Sequence, residues 1–325
     1  MITNKQIVEK IKKASKIAIF AHKDPDPDSL GSSYGLREFC FAMGKTADVF
    51  IEKIKRNNLY DLFPISERKT SFSVEDYDLA FLVDLHNFSR VDEEFRESLR
   101  KHKNIIIIDH HTVFDGEELE VENFIIKPES ASASQMILSL YKEAEVMPSK
   151  VAATYIYAGL MGDTNRFLNA NLNEEVFDDA KKMFQCGAEI QTVYETMYKS
   201  ISKENIALSA YLYKKVVYVE EGKGAYIVFT QKTMRKLGVS VNDVKEFSNA
   251  LIVIQGVEVG FLVYETEKGE FKFSIRSSKN FNTLPFVSKM GGGGHINASG
   301  FEMKNINNKY IKKKMSNWIK EILNG

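Results

Sequence analysis

The segment Ile105-Ile106-Ile107-Ile108-Asp109-His110-His111 carries four consecutive isoleucines into an acid and two imidazoles. Four β-branched residues in a row suit a strand buried on both faces, the condition of an inner strand in a parallel sheet. Open parallel sheets take ligands at the carboxyl ends of their strands, so polar residues directly after such a run stand where chemistry collects. The arrangement recurs twice upstream. Ile17-Ala18-Ile19-Phe20-Ala21 runs into His22-Lys23-Asp24-Pro25-Asp26-Pro27-Asp28-Ser29, and Leu79-Ala80-Phe81-Leu82-Val83 runs into Asp84. Strands are expected at Lys16–Ala21, Ala47–Ile51, Leu79–Val83 and Ile105–Ile108, alternating with helical periods over residues 4–14, 30–43, 132–144, 149–160 and 174–186. That alternation predicts an α/β domain with a mainly parallel sheet up to about residue 190.

The chain has 325 residues, beyond the roughly 250–300 at which one core stops growing, so a second domain is expected. Residues 188–209 read as helix or semi-rigid connector, without a Pro- or Gly-rich linker. Beyond them, strands are expected at Lys214–Val219, Ala225–Phe229, Ala250–Gln255, Val257–Tyr264 and Phe271–Arg276, with helices near Val241–Ser248 and from Asn308. This is a smaller α+β domain. Ile311, Met315, Trp318, Ile319 and Ile322 fall on one face of the last helix, which makes the lone Trp a packing residue.

Lys+Arg 44 against Asp+Glu 44 leaves no net charge, which argues against a protein that holds long nucleic acid by a general basic field. Short anionic ligands remain open. No apolar run approaches the ~18–20 residues of a membrane helix, and the N-terminus lacks the pattern of a signal peptide, so a cytoplasmic location is expected. Cys40 and Cys186 match no metal spacing and read as buried reduced thiols.

His22, Asp26, Asp28, Asp84 and His110 lie after predicted strands, and Asp163, in Gly162-Asp163-Thr164-Asn165, follows the apolar helix 149–160, where a loop would return it to the same rim. Four carboxylates and two imidazoles with no thiolate favour a hard or borderline octahedral ion, Mn²⁺ with Mg²⁺ or Co²⁺ as substitutes. So many acids on one rim repel unless cations lie between them, and two ions fit best. A two-metal site about 3.5–4 Å across, with a bridging carboxylate and an acidified water, suits phosphoester hydrolysis. Singly, each acid has an ordinary use: Asp28 or Ser29 as the cap of a helix beginning near Leu30, Asp163 as the end of a helix. A histidine and three aspartates within seven residues plus a strand-end Asp-His-His are not explained by capping. His102, among Arg100, Lys101 and Lys103, is expected on a solvated face, and His86 is read as a non-ligand without a nameable partner.

A second cluster is Gly291-Gly292-Gly293-Gly294-His295, followed by Ala298-Ser299-Gly300. Glycines allow close backbone approach, so successive N–H groups can cradle a phosphate or a base. A strand ends shortly before at Arg276-Ser277, with a guanidinium suited to bidentate phosphate contact.

These residues resemble a known family. The run His22 to Gly31, Asp84, Asp109-His110-His111 and Gly162-Asp163-Thr164 are similar to the four motifs of DHH phosphoesterases, and Gly291–Gly294, His295, Ala298 and Gly300 resemble the signature of the DHH-associated C-terminal domain. Asp24, Gly162, Asn165 and Ser299 depart from the commoner residues, and none of these changes removes a ligand. The compact two-domain form looks like the nanoRNase and pAp phosphatase group. The resemblance implies a DHH domain over residues 1–190, a connector over 191–208, a substrate-binding domain over 209–325 and an active site in the cleft between domains. It implies that His22 and Asp26 hold one Mn²⁺, Asp28 and His110 the other, that Asp84 bridges them and that Asp163 completes the cluster. His111 then faces the substrate as proton donor or phosphate contact, with Asp109 orienting its neighbours. Arg276, Ser277, Gly292, Gly293, Gly294 and His295 bind the nucleotide.

The function this implies is Mn²⁺-dependent hydrolysis of short single-stranded RNA to mononucleotides, with 3′-phosphoadenosine 5′-phosphate (pAp) as a further substrate. The alternative is hydrolysis of cyclic di-AMP or linear pApA in nucleotide signalling. Neither long duplexes nor a membrane is an expected partner, and a homodimer is allowed. A non-catalytic nucleotide-binding module is disfavoured by the intact ligand set.

Overall fold

In a computed structural model of the chain, residues 1–52, 58–113, 119–168, 172–199, 202–266 and 268–325 are described. They fall into two compact units, Met1–Ser200 and Ile201–Gly325, and residues 200 and 201, within the expected connector, lie outside the described set.

The first unit runs α1 (Asn4–Lys13), β1 (Lys16–Phe20), α2 (Pro27–Ala42), β2 (Thr46–Phe50), β3 (Leu79–Val83), α3 (Glu93–Leu99), β4 (Ile105–Asp109), β5 (Asn123–Ile126), α4 (Ala133–Glu143), α5 (Lys150–Asp163), α6 (Glu174–Gln185) and α7 (Ile190–Tyr194), with a π turn at Glu195–Lys199. Its five strands are parallel in the order β2-β1-β3-β4-β5. Every residue of β3 and β4 is buried, as the unbroken apolar runs require. Successive side chains alternate between faces. Ile17, Ile19, Phe81, Val83, Ile106 and Ile108 pack in one core with α1, α2, α4 and α5, while Ala18, Phe20, Ala80, Leu82, Ile105 and Ile107 pack in another with Phe88, Phe95 and Leu99.

Several boundaries differ from expectation. Asp26, not Asp28 or Ser29, caps α2, which opens at Pro27: its Oδ1 accepts from the N–H groups of Asp28 and Ser29, both at 2.9 Å. Asp163 is the last residue of α5 itself rather than part of a returning loop. His102 is buried, not solvated, because its Nε2 bonds the Tyr77 carbonyl at 2.8 Å between strands. Cys40 is a buried free thiol, as expected, whereas the free Cys186 is only half-buried. Helices α2 and α5 cross in backbone contact. A Cβ on Gly31 would meet the Tyr155 carbonyl oxygen at 2.5 Å, and one on Gly159 would meet the Ser134 hydroxyl at 2.0 Å.

The second unit runs α8 (Lys203–Lys215), β6 (Val217–Val219), β7 (Gly224–Phe229), α9 (Gln231–Leu237), α10 (Val241–Glu246), β8 (Val259–Glu265), β9 (Phe271–Ser277), α11 (Leu284–Lys289), β10 (Gly293–His295), β11 (Ala298–Met303) and α12 (Asn308–Leu323). Its six-stranded mixed sheet has the order β10-β11-β9-β8-β7-β6, with β7 and β8 parallel. The strand expected at Lys214–Val219 is helical to Lys215, and that expected at Ala250–Gln255 is a series of turns, with Leu251 buried and Val253 exposed. Trp318 packs edge-on against Phe273 and Phe301, as the periodicity of α12 indicated. Among the described residues, no helix is long and apolar enough to cross a membrane.

Candidate metal centre

The centre forms where three parallel strands end together. Register pairs Ile17 with Leu79 and Val83 with Ile108, so the residues after β1, β3 and β4 emerge side by side on one rim. At Asp84 the backbone turns left-handed, φ 63, while its N–H still bonds the Ile108 carbonyl at 2.9 Å.

His22 Nε2 lies 3.4 Å from Asp84 Oδ2 and 3.9 Å from Asp26 Oδ2. Its Nδ1 lies 2.7 Å from the Lys23 carbonyl, which can only accept, so Nδ1 carries the proton and Nε2 faces the acids. His110 repeats the device more loosely, with Nδ1 at 3.3 Å from the Ser130 carbonyl. Its Nε2 stands 2.9 Å from Asp163 Oδ2, 3.5 Å from Asp84 Oδ1 and 3.8 Å from Asp28 Oδ2. Asp28 is fully buried and is held by the start of α4, its two oxygens accepting from Ala133 N at 2.7 Å and Ser134 N at 3.0 Å. The partial positive charge of that helix end favours an anion.

Asp109 is fully buried behind these groups. Its Oδ1 accepts from His110 N at 2.8 Å, His111 N at 3.2 Å and His111 Nδ1 at 2.8 Å, and its Oδ2 contacts His86 Nδ1. The His111 side chain is 48% exposed, with Nε2 as the ring nitrogen not taken by Asp109. His86 lies outside the donor sets, as expected of a non-ligand, and the partner that the sequence did not name is Asp109.

Burial raises the Asp28 carboxyl well above the ordinary range, and the charges of Asp84 and Asp163 add to this. Asp26 is raised for the same two reasons, burial and then Asp84. Burial opposes a charged His110, yet the carboxylates of Asp163 and Asp84 outweigh it and raise this imidazole to about 11. Burial also works against charged Asp84 and Asp109, but the histidines facing each carboxyl hold both below their usual values.

Three sets of donor atoms, each within 4.8 Å of one another, can hold an ion: His22, Asp26 and Asp84; Asp28, His110 and Asp163; and Asp84, His110 and His111. Asp84 and His110 are shared between sets, so the sets adjoin. Two buried atoms meet at the junction, Asp84 Oδ1 and His110 Nε2, held by charge: Nε2 lies 2.9 Å from Asp163 Oδ2 and 3.5 Å from Asp84 Oδ1. The buried acids of the cluster repel one another, as the raised Asp28 and Asp26 show, and a cation among them relieves that repulsion. The donors are oxygen and nitrogen only, which suits a divalent ion such as Mn²⁺ or Mg²⁺.

The six candidate ligands, with Asp109 and His111, thus come together in the first unit. The residues expected to bind nucleotide lie in the second. Arg276 pairs with Ala298, and Ala298 with His295, so the three form one row across β9, β11 and β10 and point to the same sheet face. The guanidinium is already engaged: Nε bonds Asn249 Oδ1 at 2.8 Å, Nη1 bonds Ser274 Oγ at 3.3 Å and the Ile275 carbonyl at 3.0 Å, and Nη2 bonds Ser248 Oγ at 3.2 Å. One of its five N–H groups is left over, too few for a bidentate contact unless a partner lets go. Ser277 Oγ donates to the Phe281 carbonyl at 2.6 Å. Gly292 and Gly294 are required by packing, since a Cβ on either would meet β11 backbone at 2.2 and 2.6 Å, whereas Gly293 faces open space.

Comparison with known proteins follows this division. Residues 16–160 match the DHH family, N-terminal domain, and residues 214–321 match the DHHA1 domain. The chain is 28% identical over 326 residues to the bifunctional oligoribonuclease and PAP phosphatase NrnA of Mycoplasma genitalium, covering 98% of this chain and 97% of that protein. It is 24% identical over 316 residues to the cyclic-di-AMP phosphodiesterase GdpP of Geobacillus thermodenitrificans, covering 92% of this chain and 46% of that longer protein. An exopolyphosphatase-related protein from Bacteroides fragilis shares the fold, with a TM-score of 0.87 at 24% identity over 99% of this chain and 97% of that one. Motif residues gathered on one rim, an acidic and imidazole centre that fits a divalent ion, and two matched domains that take in most of the sequence place the chain in the DHH family of metal-dependent phosphoesterases.

Proposed function

We propose that the protein is a Mn²⁺-dependent phosphodiesterase that shortens oligoribonucleotides of a few residues to mononucleotides and also removes phosphate from pAp. The observation that carries the reading is the pair of adjoining oxygen-and-nitrogen donor sets that meet at Asp84 and His110. In this reading His22 and Asp26 would hold one ion, Asp28, His110 and Asp163 would hold the second, and Asp84 would serve both. Bound there, the ions neutralise phosphoryl oxygens and acidify water.

The chain's own groups supply the rest. His111 gives a proton to the ribose oxygen that leaves phosphorus, and Asp109, on its Nδ1, stabilises the imidazolium that donates it. The carbonyls of Lys23 and Ser130 keep the Nε2 atoms of His22 and His110 turned to the centre. Arg276, Ser277, His295 and the backbone of Gly292–Gly294 hold the nucleotide, with Asn249 and Ser248 fixing the guanidinium plane. A chain with no net charge gains little from a long phosphate backbone, which supports short substrates. Similarity to the NrnA of M. genitalium over nearly the full length of both chains supports the same choice. The likeness to GdpP favours a second reading, hydrolysis of cyclic di-AMP or pApA.

The test is to incubate the purified protein with Mn²⁺ and end-labelled RNAs of two to five and of twenty-odd nucleotides, beside pAp and cyclic di-AMP, with Asp84→Asn as control. Preference for the shortest RNAs, lost in the variant, is the expected result. Activity confined to cyclic di-AMP moves the protein to the second reading, and full activity of the variant overturns the assignment of the centre.

A further inference from the structure

The Asp109 carboxylate is gripped from both sides. Oδ1 takes the two backbone N–H groups and His111 Nδ1, while Oδ2 takes His86 Nδ1. His86 comes from the segment that follows β3, and the fold brings it there for local reasons. Val83 and Ile108 are register partners, so Asp84-Leu85-His86 runs beside Asp109 at the sheet rim. The left-handed turn at Asp84 sends that side chain into the donor sets, buries Leu85 and brings the His86 ring against its neighbour's carboxylate.

We infer that His86 is a positioning residue for His111, acting through Asp109; this rests on the reading of His111 as the proton donor. A buried carboxylate held by one oxygen can turn about its last side-chain bond, and the atom hydrogen-bonded to His111 turns with it. A donor on Oδ2 removes that freedom. His86 thereby fixes the plane in which Oδ1 meets His111 Nδ1, and with it the direction in which His111 Nε2 presents its proton. The donor sets that can hold an ion do not include His86, so its removal leaves them complete.

The chemistry makes the role specific to one ring nitrogen. Asn places its amide nitrogen close to where His places Nδ1, and Gln places it close to Nε2. The variants are therefore His86→Asn, His86→Gln and His86→Leu, assayed on a short RNA with Mn²⁺ saturating. Leu and Gln are expected to lower kcat by about 10- to 100-fold, the range over which outer partners of a site act, with KM within about twofold and Mn²⁺ binding as in the parent protein. Asn is expected to recover kcat to within about threefold of the parent. A structural role alone would not separate Asn from Gln. A second measurement needs no substrate: the proton on His111 Nδ1, followed by NMR with ¹⁵N-labelled histidine in Mg²⁺, should show a strong hydrogen bond in the parent and in His86→Asn and a weakened one in His86→Leu. If the parent cleaves no short RNA, the functional reading fails while this measurement still decides the role of His86. Parental kcat in His86→Leu, equal losses in Asn and Gln, or an unchanged His111 resonance in His86→Leu overturns the inference.

Discussion

Asp84 joins two demands at one position, because its carboxylate serves the centre while its backbone sits at φ 63. Left-handed geometry costs most residues about 1–2 kcal/mol, and Asp and Asn bear it best. Asp84→Asn and Asp84→Ala should both abolish turnover, but they should differ in stability. Urea unfolding in EDTA is expected to find the Ala variant about 1 kcal/mol below the Asn variant, and equal midpoints would mean that the turn relaxes when the carboxylate is gone. That Asp84, His22, Asp26, Asp28, His110 and Asp163 gather in one cluster was legible in the sequence, because acids and imidazoles crowd after apolar runs. The partner of His86 was not. Asp109 is 23 residues away and meets the ring only through strand register, which no local pattern encodes. His102 was misjudged for a related reason: its basic neighbours suggest solvent, yet its ring bonds a carbonyl 25 residues upstream.

At the scale of elements, the crossing of α2 and α5 sets the distance between Asp28 and Asp163, which sit on those two helices. Gly31→Ala would place a methyl 2.5 Å from the Tyr155 carbonyl oxygen, a backbone atom that cannot turn aside. Overpacking of this kind costs about 1–3 kcal/mol. The helices must separate, so Gly31→Ala is expected to lose both stability and, by tenfold or more, Mn²⁺ affinity in calorimetric titration. A destabilised variant with parental affinity would show that the crossing does not set the centre. The inner strands were legible because burial on both faces leaves an unbroken apolar run. β5 was not, since at the sheet edge only Ile125 of its four residues is buried. Ala250–Gln255 has strand composition, yet it forms turns that bury Leu251 and expose Val253, so composition without alternation misleads. Glycine-rich β10 offers no side-chain pattern to read, and backbone contact with β11 forms it.

Over the whole molecule the charges cancel, but within the first unit they are sorted, and acids concentrated at one rim make stability depend on pH and metal together. Without metal, His110 has a folded-state value near 11, above the ordinary imidazole value of about 6.5. Its contribution to stability is therefore complete below about pH 6.5 and fades as pH rises toward 11. Asp28 is raised as well, and its ionisation in the folded state is penalised in the same direction. Asp109 is lowered, so its contribution is present above the usual carboxylate range of about 4 and is lost in acid. The metal-free protein should be most stable near pH 4, decline above it as the unfolded counterparts of Asp28 and Asp26 ionise, and decline more steeply past about 6.5. A divalent ion reverses the sign on the centre, since it binds neutral imidazole and ionised carboxylate and releases their protons. At a fixed Mn²⁺ concentration the added stability, about 2.7 kcal/mol when the ion is at 100 times its dissociation constant, should grow with pH. Thermal melts from pH 5.5 to 8.5, in EDTA and in Mn²⁺, are expected to draw apart steadily. Curves that stay parallel would mean that metal binding releases no proton, and that His110 is not a ligand.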